Sequence, residues 1–173
     1  MDGPDLIRAV MSSPVGDLVV ISDQAGVLHG LDFVGNEARL DRLVARYWPG
    51  ARIAAGPAPA AVADALAAYF AGRPEALDAL SVAQGGTDIQ RQVWAALRRI
   101  PAGATCSYAD IARQLGRPKA VRAVGQANGA NPVSLVQPCH RVVASGGGLG
   151  GYAGGPARKS WLLAHEGASL RTG

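Results

Sequence analysis

The chain has 173 residues, 49% of them hydrophobic and 17% charged, a balance that excludes wholesale disorder and suits either one good core or two small lobes. It contains no apolar run of membrane-spanning length, about eighteen residues. The N-terminus, Met1-Asp2-Gly3-Pro4-Asp5, is acidic and lacks an apolar signal core, so a cytoplasmic protein without membrane contact is expected. The net charge of +4 is unevenly divided: residues 1–86 hold six basic and ten acidic side chains, residues 87–173 eleven and three. A polyanion-binding surface therefore belongs to the second half, the alternative being a solvated basic face.

In chain order, Ser12-Ser13-Pro14-Val15-Gly16-Asp17 is turn chemistry, followed by the apolar run Leu18–Ile21 and a partner strand over Gly26–Val34, which together predict a hairpin. Asn36 is placed to cap a helix running to Tyr47 and ended by Pro49-Gly50. A second, Ala-rich helix is expected over Ala60–Phe70. His29 reads as a strand residue, and Trp48, Tyr69 and Phe70 as core or lobe-interface aromatics. Residues 72–86, rich in Gly, Pro and small polar side chains, read as a linker.

The second half opens with Thr87-Asp88-Ile89-Gln90, a capping box, and the stripe Ile89, Val93, Trp94, Leu97, Ile100 predicts a helix stopped by Pro101. Ser107 caps a helix to Leu115, Gly116-Arg117-Pro118 breaks it, and a further helix is expected from Lys119 to Asn128 with Gly129 at its exit. That spacing suits a helix-turn-helix. Its second helix is nearly devoid of large side chains: Ala120, Ala123, Gly125 and Ala127 leave Arg122 conspicuous, which suits either close approach to DNA or tight packing in a core.

Asn131-Pro132 interrupts the helical pattern, and Val133–Gln137 leads into Pro138-Cys139-His140-Arg141-Val142. A thiol with a pKa near ~8.5 is a weak nucleophile at neutral pH unless a base is positioned beside it. Adjacent residues do not face each other in a helix or strand, so His140 must reach Cys139 through a turn or a bridging water. The orienter of His140 is expected to be Glu166, at the end of a last helix from Pro156 to His165 closed by Gly167. A carboxylate there opposes the helix dipole and calls for compensation. Cys106 reads as inert packing, two cysteines 33 positions apart give no disulfide framework, and His29, His140 and His165 lack zinc-site spacing. No metal and no cofactor are expected.

Asn131-Pro132, Pro138-Cys139-His140-Arg141-Val142, Gly151-Tyr152-Ala153-Gly154-Gly155 and Trp161–Gly167 resemble the signature of the O6-alkylguanine-DNA alkyltransferase family, and Ser13-Pro14-Val15-Gly16 resembles the start of its first domain. The resemblance is collinear from about Thr87 to Gly167 and extends over nearly the whole chain. It implies an α+β fold: a small N-terminal sheet and helix domain, ribonuclease-H-like, over residues 1–80 with a linker to about 86, then a helical domain over 87–173 with a winged-helix-like DNA-binding motif. The implied activity is direct-reversal DNA repair, with the alkyl group of O6-alkylguanine, or O4-alkylthymine, passing irreversibly to the protein.

Under that resemblance Cys139 is the acceptor, His140 its base through water and Glu166 the orienter. Asn131 is the hinge that satisfies nearby backbone groups. Tyr108 presses on the phosphate backbone and hydrogen-bonds the extruded base, while Arg122 enters the stack. Lys119, Ala123, Gly125 and Ala127 belong to the DNA face. Val142, Tyr152, Ala153 and Gly154 line the alkyl pocket, with backbone oxygens of Cys139 and Val142 accepting from the guanine amino group. The family often has serine at the position of Ala153, and Gly146–Gly148 makes the pocket loop unusually flexible. The implied partner is double-stranded DNA carrying the lesion, bound by a monomer with scope for cooperativity. Other readings of the same residues are a lesion sensor without transfer, a thiol hydrolase, and a transcription factor.

Overall fold

The computed structural model describes residues 2–168. The chain divides into two compact units, one comprising the residues up to Gly85 together with Pro132–Val136, the other Gly86–Asn131 with the chain from Gln137 onward.

The first unit is a four-stranded sheet with helices. Strands β1 (Asp5–Met11), β2 (Leu18–Ser22) and β3 (Leu28–Phe33) pair antiparallel, and β4 (Arg52–Ala55) joins β1 in parallel, giving the order β3-β2-β1-β4. The expected hairpin is β2 and β3, and both are buried along their length. Two strands were not foreseen. In β1 the apolar and polar positions do not alternate cleanly: Leu6 and Ala9 are buried, Val10 is exposed, and Arg8 is occupied by an ion pair with Asp41. β4 is an exposed edge containing Ala-Ala, which has little strand preference of its own and is held by its pairing to β1.

Helix α1 (Glu37–Tyr47) sets Leu40 and Val44 against Leu6, Val19 and Ile21, with Trp48 and Ala51 packed at the margin. Asn36 stands at the N-cap position but does not cap: its amide donates to Asp32 Oδ1, an acceptor that also belongs to a buried carboxylate paired with Arg39. Helix α2 (Ala60–Phe70) buries Val62, Leu66 and Tyr69 and ends in a Schellman turn at Gly72, where φ is 103°. Residues 72–86, expected as a linker, are ordered. A 3-10 helix over Pro74–Ala79 buries Leu77, and Ser81 and Ala83 bond the backbone of Leu28. The apolar residues Leu77, Leu80 and Val82 outweigh the glycines and proline around them.

The second unit is helical. Thr87 and Gln90 form the expected capping box at the start of α3 (Asp88–Arg98), and Ser107 with Asp110 forms another at α4 (Tyr108–Gln114). Helix α4 ends in a Schellman turn at Gly116, and α5 (Val121–Gly129) follows. Lys119 lies outside α5, in the turn before it, and the helix carries no side-chain cap. Gly129 is its last residue with no left-handed backbone; the helix closes on Ala130 instead. Strands β5 (Cys106–Ser107) and β6 (Val142–Val143) make a two-residue parallel ladder, and α6 (Pro156–His165) completes the unit. Trp94 is core, as expected, with its indole N–H donating to Ala127 O at 2.8 Å. No helix among the described residues is long and apolar enough to cross a membrane.

Gly30 is where β3 meets α1: an added Cβ would stand 2.9 Å from Leu40 Cδ1 and 3.4 Å from both Ile21 and Val44, all buried. Overpacking of this kind costs about 1–3 kcal/mol, so Gly30→Val should lower the urea midpoint accordingly. An unchanged midpoint would mean that the contact between β3 and α1 is not tightly packed.

Candidate active site

Cys139, His140 and Arg141 form a single 3-10 turn, and all three are buried. Pro138 fixes the approach, since its φ of −79° and ψ of 70° with Cys139 N–H donating to Gln137 O at 2.7 Å make an inverse γ-turn. Asn131 braces the same stretch from one side: its Nδ2 donates to Gln137 O at 2.8 Å, and Gln137 Nε2 donates to Asn131 Oδ1 at 2.7 Å. In the first unit, Leu135 holds a φ of 70° while Val136 N–H donates to Ser134 O at 2.8 Å, a tight turn in the left-handed region adopted by a buried leucine.

The turn directs His140 toward Glu166. His140 Nε2 lies 2.8 Å from Glu166 Oε2, with both side chains fully buried. Glu166 occupies the C-cap of α6 because Gly167, at a φ of 81°, closes the helix in a Schellman turn. The compensation demanded by a carboxylate at a helix C-terminus comes from two residues rather than one. Arg141, which sequence reasoning did not single out, donates from Nε to Glu166 Oε1 at 2.8 Å and from Nη2 to Oε2 at 3.1 Å, and its Nη1 holds Ile100 O at 2.7 Å.

The protonation states follow. Burial by itself would raise the Glu166 carboxyl, but the hydrogen bonds from His140 and Arg141, with the charge of Arg141, outweigh it and hold the group at about 2. Burial pushes His140 down, opposed by Glu166 and reinforced by the charges of Arg141 and Lys159, so the imidazole is neutral. An ionised carboxylate can only accept, so the proton of that neutral ring sits on Nε2. Nδ1 is then a bare lone pair, buried and without a protein hydrogen-bond partner. The adjacent thiol on the same turn is 5% exposed.

Lys159, also missed, is fully buried on α6. Its Nζ donates to Val142 O at 2.6 Å and to Gly151 O at 3.1 Å. Burial draws its pKa down to about 8, against the pull of the nearby Cys139 charge. A signal existed for this residue: Lys159, Leu162, Leu163 and Glu166 are spaced as one buried helical stripe. Lys159 and Arg158, whose Nη1 donates to Gly154 O at 3.2 Å, tie the Gly-rich loop at two points despite its composition. Tyr152 is half-buried with its ring edge-on to His140 at 6.3 Å, whereas Ala153 is exposed. The backbone oxygens of Cys139 and Val142 accept from Val142 N–H and Lys159 respectively.

On α5, Arg122 and Gln126 are exposed, Ala123 and Gly125 are half-buried, and Val124, Ala127 and Asn128 face inward. Ala127, expected on the DNA face, is a core residue 2% exposed, and its backbone oxygen accepts from the Trp94 indole N–H. Lys119 is exposed in the preceding turn. Tyr108 opens α4; burial raises its hydroxyl pKa, a hydrogen bond with the Asn128 side chain opposes the rise, and the Cys139 charge adds to it. Cys106 is half-buried and its thiol is pushed up by burial, then by Asp110, as fits packing rather than reactivity. Among the described residues no group of three or more His, Cys, Asp or Glu is arranged to hold a metal ion.

A helix-turn-helix in the same unit as a buried thiol, with the neighbouring histidine held neutral, suits the class of DNA-acting proteins that use a reactive cysteine. Comparison with known proteins carries this further. Residues 6–84 match the ribonuclease-like domain of 6-O-methylguanine DNA methyltransferase and residues 88–168 match the DNA-binding domain of the same family. A methylated-DNA–protein-cysteine methyltransferase of Salmonella typhimurium is 45% identical over 95% of this chain and 98% of its own, and one from Methanosarcina barkeri is 40% identical over 94% and 98%. The crystal structure of Mycobacterium tuberculosis O6-methylguanine methyltransferase is similar at a TM-score of 0.78, with 38% identity over 94% of this chain and 93% of that one. The chain belongs to the 6-O-methylguanine DNA methyltransferase family.

The Glu166 carboxyl, near 4.5 when unfolded and about 2 when folded, contributes stability that is fully present above pH 4.5 and is lost as pH falls toward 2. That shift corresponds to about 3 kcal/mol. The urea midpoint of the wild type should therefore fall more steeply than that of Glu166→Gln over this acid window. Parallel curves would contradict the ionised, paired state of Glu166.

Proposed function

We propose that the chain repairs alkylated DNA by direct reversal, Cys139 taking the alkyl group from O6-alkylguanine, and from O4-alkylthymine, in double-stranded DNA. The observation that carries this reading is the buried lone pair of His140 Nδ1, on the residue next to Cys139 in one 3-10 turn and left unprotonated because Glu166 engages the opposite nitrogen. Through a bridging water it takes the thiol proton. Sulfur then attacks the alkyl carbon in line, the S–C bond forming as the C–O6 bond breaks. The electron pair goes to the guanine oxygen, where a hydrogen bond from Tyr108 stabilises the departing purine.

An alkyl carbon inside a duplex cannot be approached in line, so the nucleotide must be turned out, at a cost of a few kcal/mol. Exposed Arg122 on α5 would fill the gap, and the small neighbours Ala123 and Gly125 would let the helix lie close to the DNA. Lys119, exposed before the helix, would meet phosphate. Asn131 holds the backbone between α5 and the thiol, while Val142, Tyr152, Ala153 and Gly154 bound the alkyl group. The product is a thioether with no electrophilic carbonyl, so the protein is consumed, one molecule per lesion, and needs no cofactor. We take it to act as a monomer in the cytoplasm.

Intact mass after incubation with a duplex containing O6-methylguanine should rise by one methylene on the wild type and not on Cys139→Ser. No gain on the wild type would overturn the reading. Arg122→Ala should slow repair of the duplex at least tenfold while leaving reaction with free O6-benzylguanine within about twofold, as expected when a few kcal/mol of base extrusion is at stake. Equal losses on both substrates would contradict the role of Arg122 in the stack.

A further inference from the structure

We infer that Gln137 is a positioning residue for alkyl transfer: its side-chain amide closes a two-bond clasp with Asn131 that fixes the peptide before Pro138, and with it the place of the Cys139 sulfur. This rests on the reading of Cys139 given above, and adds the side chain that holds the acceptor in register.

Gln137 is 4% exposed and Asn131 is fully buried. The two residues bond reciprocally: Asn131 Nδ2 donates to Gln137 O at 2.8 Å, and Gln137 Nε2 donates back to Asn131 Oδ1 at 2.7 Å. The first bond alone would leave the Asn131 amide free to swing, because the terminal torsion of an asparagine is broad. The return bond from Gln137 fixes the amide plane at both ends. Packing does not account for an amide at position 137. Val133, Leu135 and Val136, just before it in the chain, are buried and apolar, and a methionine would fill the same space without the cost of taking an amide out of water. A buried polar pair with its bonds made selects one arrangement of the backbone around it.

What the pair selects is the peptide between Gln137 and Pro138. The Gln137 carbonyl oxygen accepts twice, from Asn131 Nδ2 and from Cys139 N–H, the latter at 2.7 Å. The Pro138 ring fixes its own φ, at −79°, and offers no N–H, which leaves the tilt of this peptide plane as the freedom that must be held. Arg141 N–H then donates to Pro138 O at 2.9 Å, and the 3-10 turn carrying Cys139 begins from that plane. A tilt of the plane moves the sulfur, and in-line displacement tolerates little, since a misplacement of about 1 Å can cost about a hundredfold in rate.

The path of the chain explains why a clasp is needed at this point. Pro132–Val136 belongs to the first unit, where Leu31 N–H donates to Pro132 O and Ser134 N–H to Leu31 O, both at 2.9 Å, while Asn131 and Gln137 belong to the second. The paired amides join the two ends of this excursion. Without the bond from Gln137 Nε2, a shift within Pro132–Val136 would pass along the chain into the peptide that sets Cys139. Asn131 also follows directly on Ala130, the C-cap of α5, so the clasp ties the end of that helix to the acceptor turn.

The test reads the single-turnover rate constant, the final fraction of protein alkylated and the duplex Kd on the full chain, with saturating O6-methylguanine duplex and with free O6-benzylguanine. Gln137→Met, which keeps the length and removes the donor, should lower the rate constant about 2- to 10-fold, the value of one hydrogen bond, and do so on both substrates alike, because what is displaced is the sulfur. Kd and the final alkylated fraction should be those of the wild type. Gln137→Glu, equal in shape with an oxygen in place of the donating nitrogen, should slow transfer at least as much, and serves as the probe if the methionine variant is misfolded by circular dichroism. A full rate constant with a reduced alkylated fraction would mark a residue needed only for folding, as would loss of the fold in both variants. A loss confined to the duplex with a weakened Kd would place the role of Gln137 in DNA binding, and unchanged rate constants would leave the clasp without effect on transfer. Each of these results overturns the inference. If the wild type itself takes up no alkyl group, the failure lies one step earlier, in the role of Cys139, and the inference falls with it.

Discussion

One buried carboxylate serves two bases, and the chemistry proposed for Cys139 depends on how it is shared. Left alone with His140, Glu166 would favour the imidazolium, and a histidine with both nitrogens protonated cannot accept a proton from a thiol. Arg141 prevents this. Its permanently charged fork covers both carboxylate oxygens at 2.8 and 3.1 Å, so the negative charge is already matched and the histidine is relieved of matching it. The positive charges of Arg141 and Lys159, with complete burial, then hold the ring neutral. Glu166 keeps the remaining task of fixing the tautomer through Nε2.

The backbone makes this sharing possible. Consecutive residues cannot point the same way in a helix or strand, and the 3-10 turn over Cys139–Arg141 resolves the difficulty by letting three adjacent side chains serve one site. The inverse γ-turn at Pro138 and the paired amides of Asn131 and Gln137 set where that turn begins. At the other side, the left-handed backbone of Gly167 ends α6 so that Glu166 falls on its last turn. Lys159, about two helical turns before Glu166 on the same buried stripe, anchors Val142 and Gly151 and so holds the loop carrying Tyr152.

Local chemistry was the legible part of the sequence. The T-x-x-Q box, the Ser107 cap, Gly116-Arg117-Pro118 and the helical stripe of α3 act over a few residues, and each acts in the structure as its composition implies. The reading failed where a distant partner decides. β4 is a strand because β1 lies beside it, Asn36 gives its amide to Asp32 instead of the helix, and the glycines of 72–86 yield to Leu77 and Leu80. Within the site, Cys139, His140, Asn131 and Glu166 were identified, but Arg141 and Lys159 were not, since a charged side chain in a one-dimensional reading is assumed to face water. Ala127 shows the converse: a small residue on a helix suits a DNA face or a core equally, and its proximity to Trp94 decides for the core.

The neutral, Nε2-protonated His140 is the state on which the account stands, and nitrogen-15 NMR of the histidine ring observes it directly. From about pH 6 to pH 8, across the usual range of histidine titration, the His140 resonances should stay those of one neutral tautomer, with Nε2 carrying the proton and Nδ1 unprotonated. An imidazolium at neutral pH, or a proton resident on Nδ1, would contradict the account.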